Sequence, residues 1–179
     1  MNGNQTMQDV NKYQYRYWNE MVQLKTTIFY LEECLHESEK LDKYINIYLA
    51  ITSNGSICGW VIWKEISIVW AIIIAASQLI NAIKFYLPFS ERIKMISKML
   101  PELDNLFNLA EKSWFQIAEG ELFDEEIHDL NINIKNREMD IVRKYTAVCS
   151  LPYKKSHLDK AMVFAQTYFS NFYKLGGIK

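Results

Sequence analysis

YINIYLAITSNGSICGWVIW, residues 44 to 63, contains no Asp, Glu, Lys or Arg, yet small polar residues interrupt its centre from Thr52 to Ser56. A run of ~20 uncharged residues is long enough to cross a bilayer as a helix. Asn54-Gly55 between apolar runs is also the strongest short signal for a β-hairpin. The neighbouring sequence decides between them. After Lys64 and Glu65 comes ISIVWAIIIAASQLINAI, residues 66 to 83, again without charge. A single spanning helix would place the two polar halves of the chain on opposite sides of a membrane, and a two-stranded ribbon leaves its edges unsatisfied in lipid. Residues 44–88 therefore read as a two-span transmembrane helical hairpin.

As a helix, the first span puts Thr52, Gly55, Ser56 and Gly59 on one face by the i, i+3, i+4, i+7 rule. Gly55 and Gly59 form a small-xxx-small pair that lets backbones approach closely. Ser67, Ala71, Ala75, Gln78 and Ala82 make a similar stripe on the second span. Lipid offers no hydrophobic drive for helix association, so small faces and side-chain hydrogen bonds of about 0.6–2 kcal/mol must hold such helices together. Two roles are open to the stripes: zipping the hairpin within one chain, or lining an inter-subunit seam or pore together with Asn46, Ser53, Asn54, Gln78 and Asn81. The spans hold no internal acid, base or histidine, so an ion-coupled transporter is disfavoured.

Charge sets the orientation. Lys25, Lys40 and Lys43 precede the first span, and Lys84, Arg92, Lys94 and Lys98 end or follow the second, against Lys64 alone between them. The positive-inside rule places both termini in the cytoplasm, with the hairpin in the inner (cytoplasmic) membrane. The N-terminal MNGNQTMQD has neither the basic region nor the apolar core of a signal peptide, so insertion would use the internal spans. Cys34, Cys58 and Cys149 show no metal or disulfide spacing and suit a reducing compartment or isolated buried thiols. A formal net charge of -1 over 179 residues, without a Lys/Arg cluster, argues against nucleic acid as a partner.

The remaining sequence is helical. Beyond the hairpin, Ile96, Leu100, Leu103, Phe107, Ala110, Trp114 and Ile117 alternate steps of three and four, a heptad seam. Pro101 is expected to interrupt and bend this helix, or to restart it with proline in the first turn, and Gly120 to end it. Ala110 leaves room for a bulky neighbour. Ahead of the hairpin, Tyr17, Met21, Leu24, Ile28, Leu31 and Leu35 repeat the pattern. The hairpin turn is short, so these helices must run antiparallel as a coiled-coil-like stalk, with core packing as the default role of both seams. Asp124 is expected to cap a third helix carrying Ile127, Leu130, Ile134 and Ile141 inward and reaching Tyr145. Ser156, with Asp159 three residues on, is expected to cap a fourth that turns Leu158, Met162, Ala165, Phe169 and Phe172 to one side and ends at Gly176-Gly177. That last helix is rich in aromatics and could pack on the stalk, bind a partner or lie on a membrane beside Lys154, Lys155 and Lys160. The chain thus reads as all-α: an N-terminal helix over 1–43, the hairpin over 44–88, and a C-terminal helical region over 89–179 that adds two helices to the stalk.

Chemistry is sparse. Glu119, Glu121, Asp124, Glu125, Glu126, His128 and Asp129 are the only dense cluster of acid/base types, and a helix start explains them without catalysis. His36 and His157 have no partner evident from spacing. The sequence contains no phosphate loop, nucleophile elbow, zinc motif or cofactor signature, and no enzyme is expected.

YWNEM at 17–21, SNGSICGWVIW at 53–63 and SQLINAIKFYLPFSERI at 77–93, in this architecture, resemble the SLATT group of two-transmembrane effectors associated with bacterial nucleotide-sensing phage defence. The likeness covers residues 15 to 145 and is architectural. It implies a homo-oligomer that permeabilises the inner membrane once an upstream sensor protein fires. The readings that compete with it are a non-enzymatic membrane scaffold recruiting a protein partner through the cytoplasmic helices, and a soluble helical protein with the hairpin as its core.

Overall fold

The computed structural model describes the backbone of residues 3–62, 67–84, 89–147, 150–151 and 153–173. Among these the chain is all-helical: α1 (Gly3–Ile62), α2 (Ser67–Lys84), α3 (Phe89–Ala118), α4 (Asp124–Thr146) and α5 (Lys155–Phe172), with no strand. Helix α1 continues through Asn54-Gly55, so the helical reading of the opening stretch holds and the β-hairpin does not. Two compact units divide the chain, residues 1–34 with 95–179 and residues 35–94.

The first unit is a helical bundle built on α1 and α3. Tyr17 Oη donates to the Ala110 carbonyl at 3.0 Å, Gln14 Nε2 donates to the Ile117 carbonyl at 3.2 Å, and Lys25 pairs with Asp104 at 3.8 Å. Advancing along one helix means retreating along the other, so the pair is antiparallel as expected. Tyr17, Met21, Leu24, Ile28 and Leu31 are buried from α1, and Ile96, Leu103, Phe107, Ala110 and Ile117 from α3. At Ala110 it is the backbone carbonyl that the Tyr17 hydroxyl of the facing helix reaches, while the Tyr17 ring stacks on Trp114. Leu100 and Trp114 are only half-buried, whereas Met99 and Leu106, outside the heptad, are fully buried. The apolar face of α3 is wider than a two-helix seam because α4 and α5 both pack on this unit.

Three local expectations are corrected. Pro101 does not interrupt α3, which runs as one helix across it. The residue is solvent-exposed, where water can serve the Ser97 carbonyl that has lost its i+4 donor. The cap of α4 is Phe123, not Asp124; Phe123 has no acceptor, but its own N–H donates to Glu126 Oε2 at 2.8 Å, the carboxylate half of a capping box. The cap of α5 is Lys154, not Ser156, and its N–H donates to Tyr30 Oη at 3.1 Å. A tyrosine distant in sequence thus serves the backbone donor of this cap.

Gly120 does end α3. Its φ of 73° is the left-handed conformation that glycine adopts without Cβ strain. The Glu121 N–H reaches the Gln116 carbonyl and the Gly120 N–H the Ile117 carbonyl, both at 3.1 Å, a Schellman motif. On α5 the buried stripe is His157, Ala161, Ala165 and Phe169, rotated from the expected face, so Met162 and Phe172 are exposed. Small Ala161 and Ala165 let this helix sit close to its neighbours. The expected stop at Gly176-Gly177 lies outside the described residues.

Candidate functional site

In the second unit, α2 buries one narrow face. Ser77 is buried and Ile73, Ala76 and Ile80 are half-buried, an i, i+3, i+4, i+7 set. Ser77 Oγ donates back to the Ile73 carbonyl at 2.7 Å, so its hydroxyl is satisfied within the helix. The other described side chains of α2 are exposed and mostly apolar: Ile68 is 74% exposed, Ile72 63% and Leu79 61%, with Val69 and Ile74 also open. On a helical wheel these exposed side chains cover about two-thirds of the circumference. On α1 in the same unit, Tyr44, Ile47 and Ile51 are exposed as well.

The sequence-derived stripe of α2 lies on this open side. Ala71, Ala75, Gln78 and Ala82 are exposed, as is Asn81 beside them, while the side chain of Ser67 lies outside the described residues; the buried face of α2 is made by Ile73, Ala76, Ser77 and Ile80. The side chains of Thr52, Gly55, Ser56 and Gly59 lie outside the described residues, although the α1 backbone carrying them is helical. Among the described residues, no helix is long and apolar enough to cross a membrane.

In the first unit, α5 is held by aromatic contacts. Trp18 meets Phe169 at 5.0 Å and Tyr173 at 5.2 Å, Phe29 meets Phe164 at 5.9 Å, and Phe107 meets Tyr168 at 5.7 Å. Glu111 Oε1 accepts from both Tyr168 and Tyr173, at 2.9 and 2.7 Å. Burial first, then this carboxylate, pushes the Tyr168 hydroxyl up to about 12. The Lys25 ammonium sits 4.6 Å from the Phe107 ring, 5.0 Å from Tyr168 and 5.1 Å from Phe29, so one cation fastens three helices. Lys160, part of the lysine cluster noted in sequence, pairs with Glu33 at 3.1 Å. Packing on the stalk is therefore the role the aromatics of α5 fill. Beside them, Trp18, Val22, Thr26, Leu158, Met162 and Phe169 line a largely apolar cleft of about 630 Å³ between α1 and α5.

Sequence reading missed the partner of His157. Its Nδ1 lies 3.7 Å from the Sγ of Cys34, which is a free thiol, and both side chains are buried. The two residues are far apart in the chain and only the docking of α5 against α1 joins them, so no spacing rule could have found the pair. The acidic cluster around the start of α4 is mostly solvent-exposed, and no group of three potential ligands occurs among the described residues. Comparison with protein-family models, with curated proteins and with solved structures finds no match.

Proposed function

We propose that the chain is a non-enzymatic, oligomeric membrane effector. Residues 44–88 enter the inner membrane as a two-span hairpin, and the bundle of α1, α3, α4 and α5 receives a signal from an upstream protein on the cytoplasmic side. The observation that carries this reading is the exposure of α2: an eighteen-residue helix with isoleucine and leucine open over most of its circumference needs an apolar medium, and at 1.5 Å per residue its length of about 27 Å approaches the ~30 Å hydrocarbon core. A local thinning of the bilayer accommodates a span of that length. Within lipid, the outward Gln78 and Asn81 amides seek partners on neighbouring copies, which favours assembly and perturbation of the membrane. The cytoplasmic placement follows from the lysines flanking the hairpin.

Alkaline carbonate washing of membranes from cells expressing the full chain tests insertion. The expected result is retention in the pellet and release of an Ile72→Asp/Leu79→Asp double variant into the supernatant. Release of the unmodified chain would refute the hairpin. Dye leakage from vesicles carrying the purified protein then separates a membrane-perturbing effector from a scaffold that recruits a partner without permeation.

A further inference from the structure

We propose that α4 is a releasable arm: it swings away from the bundle while α1, α3 and α5 remain packed together. The proposal rests on a contrast between the two helices that flank the α1–α3 pair, and it is independent of membrane insertion.

Helix α5 is fixed by aromatic contacts to Trp18, Phe29 and Tyr30 of α1 and to Phe107 of α3. Among the described residues, the ring contact that α4 makes is the edge of His128 on Tyr13 at 6.0 Å. Its buried residues are Ile127, Asn131 and Ile134. Asn131 is 3% exposed and its Nδ2 has no hydrogen-bond partner among the described residues, and the buried Nδ1 of His128, one turn earlier, has none among them either. Each is a polar atom that water would satisfy the moment α4 lifts, so opening recovers solvation that the closed state forfeits.

Leu130, Ile141 and Val142 of α4 are half-buried as well, and beside these apolar residues the seam carries charge. Glu20 is 8% exposed and faces Lys135 at 3.4 Å. Burial and then repulsion by Glu20 raise the Glu138 pKa, against a hydrogen bond with Thr27 of α1 and the attraction of Lys135, which lower it. The ties of α4 to α3, from Lys144 at 2.7 Å and Tyr145 at 2.6 Å, converge on Glu102 at the bundle surface. Gly120, in its left-handed conformation with nothing within 4 Å of where a Cβ would stand, gives the arm an uncluttered pivot.

Hydrogen–deuterium exchange of the full chain in detergent, read by mass spectrometry, tests this. Peptides from residues 127–140 are expected to exchange at least about tenfold faster than peptides from 99–110 and 157–169. Asn131→Leu, which removes the orphaned amide, is expected to slow the α4 peptides about tenfold and leave α5 unchanged. Equal exchange in α4 and α5 would overturn the proposal. Should Asn131→Leu fail to fold, Glu138→Gln decides: slower exchange confined to α4 supports the arm, and unchanged exchange overturns it.

Discussion

The Tyr17 hydroxyl crosses from α1 to the carbonyl of Ala110 on α3 over 3.0 Å, and both residues are completely buried. Burial pushes that phenol up to about 12, so it is a neutral donor at any physiological pH. Tyr17→Phe keeps the ring and removes the donor, and urea unfolding should show a loss of about 0.5–1.5 kcal/mol. Ala110→Leu should cost more, about 1–3 kcal/mol, because Ala110 is fully buried and the larger side chain overpacks the core.

Phe169 touches Trp18, Phe107, Tyr168 and Tyr173. Phe169→Ala should therefore destabilise the first unit by about 3–5 kcal/mol. Exposed Phe172→Ala, one turn further on, should change the unfolding midpoint by less than a tenth of that. Equal effects would mean that α5 presents a different face from the one described.

Glu138 titrates with a sign opposite to that of most carboxylates. Burial and the neighbouring Glu20 raise its folded pKa above the ordinary 4.5, so the favourable protonated state is fully present below that value. This contribution is lost as pH rises through the folded pKa. Glu138→Gln should leave stability at pH 4 nearly unchanged and increase it at pH 7, measured by urea unfolding at both. Glu102 runs the other way, its pKa lowered by bonds from Lys144 and Tyr145, so Glu102→Gln should lose its effect toward acid pH.

Gly120→Ala isolates backbone strain. The site is open but its φ is positive, so the substitution should cost about 1–2 kcal/mol with no steric component. Gly120→Asn should recover part of that loss, since asparagine tolerates the left-handed region better.

The periodic elements were legible in sequence and the side-chain partners were not. Heptad spacing located Leu24, Ile28, Leu31, Leu103 and Phe107 because burying one helix face imposes a period of 3.6. It did not locate Met99 or Leu106, whose burial depends on α4 and α5 arriving from elsewhere. The turn of α5 by about one residue, from Met162 toward Ala161, follows from aromatic packing, which a list of apolar positions cannot rank. Capping by Tyr30, the Cys34 and His157 pair, and the orphaned Asn131 amide are long-range facts with no local signature. On α2 the sequence identified the small-residue stripe, but which side it faced depended on where Ile73 and Ser77 found their neighbours.

Sealed beneath the start of α5, the Cys34 thiol turns the docking of that helix into a stopwatch. A thiol reagent reaches it only while α5 is lifted, so in a chain with Cys58 and Cys149 replaced by serine, the labelling half-life reads the frequency of that excursion directly. Phe169→Ala should shorten the half-life by orders of magnitude, and Met162→Ala on the exposed side should leave the clock running at its original pace.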